Sequence, residues 1–182
     1  MLKLNMIVTV IIIFSIQNYF AQSEDLPKLK TVNQVDLNKY VGLWYEIAKI
    51  PNSFQDHCAY GTTAKYKLLD DGRIDVINKC YEKDGEADVA DGIAEVVDKK
   101  TNAKLEVSFF SILGIRPFWG DYWIIGLDDN YQWAIVGTPN RKYGWILSRT
   151  PTLPEETMQH IFSLLKEQHY NPDKFEMTAQ QK

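Results

Sequence analysis

The chain has 182 residues, 45% hydrophobic and 24% charged, with 10 Gly, 7 Pro and 2 Cys, which excludes a disordered chain, a collagen and a disulfide-dense scaffold. Twenty basic against twenty-four acidic side chains leave a formal charge of −4, the wrong sign for a nucleic-acid-binding surface. The unusual figure is 13% aromatic, with 5 Trp and 10 Tyr; so many large rings in one small domain have something apolar to cover.

The first element is N-terminal. Lys3 precedes an apolar run from Met6 to Phe14 that fades into Gln17, Asn18 and small Ala21. A basic start, a short apolar centre and a small residue at the end read as a secretory signal peptide over residues 1–21. The alternative, an uncleaved anchor, calls for about 20 consecutive apolar residues, and the run is shorter. Cleavage after Ala21 leaves 182 − 21 = 161 residues, read as an N-terminal segment over 22–35 and one domain over 36–182. The expected location is the periplasm or the extracellular space. In such an oxidising compartment the even pair Cys58 and Cys80 favours a disulfide over free thiols or a metal site. No metal centre is expected, because zinc wants four ligands and His57, His160 and His169 show no ligand spacing to the cysteines.

From residue 42 onward, β-branched and aromatic runs alternate with turn signals. They predict β1 over residues 44–50, β2 over 62–69, β3 over 74–81 and β4 over 89–97. The series continues with β5 over 104–110, β6 over 122–127, β7 over 132–137 and β8 over 144–148. Separators such as Asp70-Asp71-Gly72, Lys83-Asp84-Gly85 and Asp128-Asp129-Asn130 carry turn chemistry. The connections are too short for parallel crossovers, so the strands form an antiparallel meander. Eight strands escape their exposed edges by closing, and the expected fold is all-β: an eight-stranded antiparallel up-and-down β-barrel. One C-terminal helix follows, with a capping box from Thr152 to Glu155 and Pro154 in its first turn. Its face of Met158, Ile161, Phe162 and Leu165 packs on the outside of the barrel or docks a partner. Asn171-Pro172 ends the helix, and residues 175–178 can add a last short strand.

In a meander every strand reverses direction, which assigns the ends of the barrel. Trp44 and Arg149 fall at the same, closed end, where the guanidinium can lie flat on the indole, a contact worth ~0.5–2 kcal/mol that plugs the floor. Cys58 and Cys80 fall together at the open end on paired strands. Their register is a few residues from ideal, so the pairing requires a bulge or an inward fold of the β1–β2 loop.

Three phrases resemble the signature motifs of the lipocalins: Gly42-Leu43-Trp44-Tyr45-Glu46-Ile47-Ala48, Leu127-Asp128-Asp129-Asn130-Tyr131 and Trp145-Ile146-Leu147-Ser148-Arg149. Their order and spacing are most similar to the bacterial lipocalin and apolipoprotein D branch, and the likeness covers about residues 36–181. Two positions depart from the pattern. Leu127 stands where the family usually has Thr, and no cysteine follows the apolar run to carry the lipid anchor of many bacterial members.

The resemblance implies a barrel that holds one small ligand. Period two, anchored on Trp44 and Arg149, turns Glu46 and Ala48 inward on β1 and Tyr143, Trp145 and Leu147 inward on β8. The family pattern extends this to Val76 and Asn78, Gly92 and Ala94, Leu105, Val107 and Phe109, Tyr122 and Ile124, and Ala134 and Val136. Gly92, Ala94 and Ala134 leave space inside; the alternative is a solid core. The connection over residues 111–120 is too apolar to face only water. Phe54, Phe118 and Trp119 are placed at the mouth, with Arg116, or Arg141 and Lys142, to pair with an anionic head group. This rim is either a lid or a contact with a membrane surface.

No Gly-x-Ser-x-Gly, His-Glu-x-x-His or phosphate loop occurs in the chain, so no enzyme and no cofactor are expected. The enzymatic alternative is an isomerase-like use of Cys58 or Cys80 as a free thiol, and a third class is a protein-interaction module. What the resemblance implies is binding and transport or storage of a fatty acid or lysophospholipid, with a tetrapyrrole as the second ligand class.

Overall fold

The computed structural model describes residues 26–182 of the chain; the signal-peptide reading falls on residues outside these. Eight strands follow in chain order: β1 Gly42–Lys49, β2 Tyr60–Leu68, β3 Ile74–Tyr81, β4 Ala87–Val96, β5 Lys104–Ser108, β6 Gly120–Leu127, β7 Trp133–Gly137 and β8 Gly144–Ser148. Each pairs antiparallel with the next, and β1 pairs with both β2 and β8, so the sheet closes on itself as expected. β3 and β8 have the expected bounds, and the others differ at their ends. One difference is in β5, which stops at Ser108 where the apolar run suggested 110. There the Arg116 guanidinium takes the Ser108 carbonyl at 2.8 Å, and the ladder to β6 ends at Val107–Gly120.

Alternation along the strands serves two cores. Inward residues, among them Trp44, Val76, Leu105, Ile124, Val136 and Leu147, form one cluster inside the barrel. A second lies outside, where Ile47, Ile125, Trp133, Ile135 and Ile146 meet Met158, Ile161 and Leu165 of α2 (Glu155–Glu167). The helix stripe therefore packs on the barrel wall. Its start differs from the expected capping box. Pro154 occupies the N-cap without a side-chain bond, and the Thr152 carbonyl is taken by Thr150 Oγ1 at 2.7 Å. Proline's locked φ fits the residue just outside the first turn, and Glu155 and Glu156 then put negative charge at the positive end of the helix dipole.

A short strand, β9 Glu176–Met177, pairs with Ala48 and Lys49 and closes a seam. β1 bonds β2 only through residues 42–45; beyond them the C-terminal tail fills the gap. Thr178 N donates to Ile47 O at 2.9 Å and Gly61 N to Ala179 O at 2.8 Å. Gln180 Nε2 reaches Glu46 O at 2.6 Å and Thr62 O at 3.2 Å. Ahead of β1, residues Leu29 and Val35 are buried, and Val32 N and Val35 N donate to Ile124 O and Thr101 O.

The closed end is stopped as the topology required. The Arg149 guanidinium lies 3.7 Å from the Trp44 ring centroid and donates to the carbonyls of Leu43, Lys39, Tyr40, Val41 and Tyr131 at 2.8–3.3 Å. Trp44 Nε1 donates to Tyr40 O at 2.7 Å, holding the ring beneath the one-turn helix α1 (Leu37–Tyr40). Gly42 takes φ +104°, and a Cβ there would come within 3.3 Å of Arg149 Nη1, so the glycine two residues before the tryptophan serves both the backbone turn and the close approach. Arg149→Ala is expected to cost about 2–4 kcal/mol by stranding several carbonyls, with Arg149→Lys recovering less than half of it for want of a planar fork; denaturant melts of the three proteins measure both.

Candidate ligand-binding site

The barrel interior is not filled. A cavity of about 620 Å³ opens at the end opposite Arg149, between the β1–β2, β3–β4, β5–β6 and β7–β8 connections. Its wall is apolar along Val76, Ala90, Ala94, Leu105, Val107 and Leu147. At its floor three tyrosines meet. Tyr40 Oη lies 2.7 Å from Tyr122 Oη, and Tyr66 Oη lies 3.0 Å from the same oxygen. Burial raises all three phenols: Tyr66 is pushed up to about 12, and Tyr40 and Tyr122 well above their ordinary value, so all are neutral donors at physiological pH.

One polar chain crosses the wall toward the mouth. The buried Glu46 carboxylate accepts from Lys49 Nζ at 3.0 Å, Gln55 Nε2 at 2.8 Å and Thr178 Oγ1 at 2.7 Å. Gln55 Oε1 in turn accepts from Trp145 Nε1 at 3.0 Å. The carboxylate is thus charge-matched and bonded, and it ties β1, the β1–β2 loop and the C-terminal tail to the indole lining the cavity. At the rim the Phe54 ring lies 5.2 Å from Tyr143 and 6.3 Å from Trp145.

Cys58 and Cys80 form a disulfide with Cα atoms 5.6 Å apart. The irregularity its register required lies in β2 between Tyr60 and Thr63. Both sulfurs are held in the disulfide, whereas the thiol-isomerase alternative calls for a free thiol. His57, beside the disulfide, hydrogen-bonds Asp88 Oδ2 at 3.0 Å, and that bond raises the imidazole pKa.

The sequence matches the Lipocalin-like domain family over residues 35–180. The chain belongs to the lipocalin family. It is 38% identical over 156 residues to temperature-induced lipocalin-1 of Arabidopsis thaliana, covering 84% of this chain and 83% of that one. It is 41% identical over 145 residues to the outer membrane lipoprotein Blc of Escherichia coli K12, covering 79% and 78%, and 36% identical over 152 residues to mouse apolipoprotein D, covering 80% and 77%. Among solved structures, insecticyanin from the tobacco hornworm Manduca sexta superposes with a TM-score of 0.68 at 27% identity, covering 84% of each chain.

In this lipocalin the structure brings Glu46, Val76, Asn78, Ala94, Leu105, Val107, Phe109, Tyr122, Tyr143 and Trp145 to the cavity, with Phe54 and Trp119 at its mouth. Five expected residues are elsewhere. Ala48 faces the outer core under α2, because a bulge between Glu46 and Ala48 reverses the alternation. Ile124 and Val136 point inward but are fully buried in packed core and do not border the cavity. Phe118 leans on Phe110, ring centroids 5.9 Å apart, and is 68% exposed. Arg116 is spent on the Ser108 carbonyl. The alternative cation Arg141 is also committed: its guanidinium donates to Gln168 O, Pro27 O and Pro139 O. Lys142 lies over the Tyr143 ring at 5.2 Å. Nor does Gly92 provide space, since a Cβ there would come within 2.7 Å of the Phe109 ring, which fills it.

Tyr40, Tyr66 and Gln55 are among the lining residues that the sequence did not single out. For Tyr66 a signal existed: Thr62, Ala64, Tyr66 and Leu68 alternate with polar residues along β2. Tyr40 and Gln55 lie outside the strands, where period two says nothing.

The His57–Asp88 bond gives a pH prediction. The folded imidazole has a raised pKa, so its stabilisation is complete below the unfolded value of about 6.5 and is lost as pH rises through the folded one. An NMR titration is expected to place His57 above about 6.5, and Asp88→Asn to bring it back down.

Proposed function

We propose that this lipocalin binds and transports or stores one small hydrophobic molecule in the barrel, and that the molecule is a single-chain lipid, a fatty acid or lysophospholipid. One observation carries the reading: a cavity of about 620 Å³ with apolar and aromatic walls and few polar groups, within the roughly 300–1,000 Å³ of small-molecule sites. Exported surroundings suit the Cys58–Cys80 disulfide, and two relatives are named outer membrane lipoprotein Blc and apolipoprotein D.

The rim supports a source for such a ligand. Leu113 is 98% exposed, and Ile115 and Phe118 are 70% and 68% exposed, whereas of residues 111–119 only Trp119 borders the cavity. A lid would bury its apolar side chains over the ligand; these point away. They suit a transient contact with a membrane surface, from which a lipid would enter the adjacent mouth. No helix among the described residues is long and apolar enough to cross a membrane.

Palmitate and palmitoyl-lysophosphatidylcholine are expected to change the fluorescence of Trp119 and Trp145 and to add one ligand mass in native mass spectrometry. At a hundredfold excess over Kd they should stabilise the protein by about 2.7 kcal/mol, a melting shift of roughly 5–10 °C. A response to biliverdin alone would assign the cavity to tetrapyrroles; no response to any of the three would point to an interaction module. For the rim, Leu113→Asp with Ile115→Asp should abolish co-sedimentation with phosphatidylcholine–phosphatidylglycerol vesicles and leave palmitate affinity within about twofold, since neither residue touches the cavity; retained co-sedimentation would refute the membrane contact.

A further inference from the structure

We infer that the cavity floor is a receptor for a small anionic head group, so that a fatty acid enters carboxylate first and a lysophospholipid does not use the floor. This rests on the carrier reading and narrows it.

Hydrogen-bond accounting at the floor comes first. Tyr40, Tyr66 and Tyr122 bring three hydroxyl protons, and only two hydrogen bonds link them, both through Tyr122 Oη. No other partner meets any of the three hydroxyls among the described residues. Whichever way the two bonds run, one proton is left without an acceptor, and all three rings border the cavity. A phenol is a donor and acceptor with a single proton; a chain of three with one proton to spare is matched by an acceptor that brings none. A carboxylate is such a group. An apolar chain end placed there would leave the donor unsatisfied.

Charge makes the second, independent case. Arg149 is the cation of the closed end, and all its contacts are neutral: five backbone carbonyls and the Trp44 face. Among the described residues no carboxylate lies within ion-pair distance of it. Its guanidinium covers Trp44, whose ring is 5.1 Å from that of Tyr40, and its charge is felt by all three phenols. The interior acid that opposes an anion here is Glu46; its charge is felt at Tyr66, and Lys49 pairs with it at 3.0 Å. A carboxylate on the phenols would supply the missing countercharge without touching the arginine.

Size and sign separate the two candidate lipids. A carboxylate is a single compact group. A phosphocholine head is larger and ends in a cation that Arg149 would repel, so it stays at the mouth. The acyl chain of a head-first fatty acid runs up past Leu105, Val107 and Trp145 toward the exposed rim.

The test must remove all three hydroxyls, because losing one end of the chain still leaves a proton to spare. Calorimetric titration compares the unaltered protein with Tyr40→Phe/Tyr66→Phe/Tyr122→Phe. Palmitate is expected to weaken about tenfold or more, the scale of a hydrogen bond to a charged group, and palmitoyl-lysophosphatidylcholine not to weaken, because its head does not use the hydroxyls. Orientation is read on the unaltered protein with spin-labelled stearates, which keeps the inference testable if the triple variant does not fold. The nitroxide at carbon 16 should be quickly reduced by ascorbate, and that at carbon 5 should be shielded. Equal losses for both lipids, unchanged palmitate affinity or the reverse order of shielding would overturn the inference and leave the carrier reading standing. Failure of the unaltered protein to bind palmitate at all overturns both.

Discussion

The interior of this lipocalin exists because one end of its barrel is stopped. Arg149 does this with a planar charge that donates from all three of its nitrogens: its guanidinium lies on Trp44 and binds carbonyls from α1, the start of β1 and the β6–β7 turn. Among the described residues no salt bridge is involved, so the plug they form does not depend on the protonation of a carboxylate. A guanidinium can satisfy many carbonyls from one plane, which is why the last residues of one strand can close an end built from three segments. With that end shut, the cavity opens at the other, where the disulfide, Phe54 and Trp119 stand.

Above the floor, the same strands serve two environments that must stay separate: a cavity inside and a helix-covered core outside. Strict alternation would suffice in straight strands. Here bulges at Glu46/Ala48 in β1 and Ile124/Gly126 in β6 reset the alternation, so that Ala48 joins Ile47 under α2 while Glu46 still reaches the cavity. The seam between β1 and β2 is closed by the C-terminal tail, and the tail also contributes Thr178 to the Glu46 network. Stability of the wall and the polar character of the site are therefore coupled through one carboxylate.

Strand number, topology, the floor contact and the disulfide were legible in the sequence because each follows from local chemistry or from parity. Turn residues end strands, and reversal at every turn puts Trp44 with Arg149 and Cys58 with Cys80. Ten of the thirteen expected ligand-site residues border the cavity, which means that period two survives where the strands are regular. It fails at Ala48, one residue past a bulge. It also misplaces Ile124 and Val136, for a different reason: alternation tells inside from outside but not depth, and these two lie where the interior is packed solid. The side chains offered as head-group cations, Arg116 and Arg141, were chosen for charge and position along the chain; in the fold both are consumed by backbone carbonyls.

By itself, then, the sequence determined that eight strands close into a barrel with a helix outside, that one end is plugged by Trp44 and Arg149, and that the two cysteines meet. These depend on patterns short enough to be written along a chain. Only the tertiary structure decided how deep the cavity runs, that Gly92 is filled by Phe109, and that Tyr40, Tyr66 and Tyr122 converge on one oxygen. Those residues come from α1, β2 and β6, up to 82 positions apart. No local propensity brings three phenols together across such separations; barrel closure does, and among the described residues only two hydrogen bonds link their three hydroxyls.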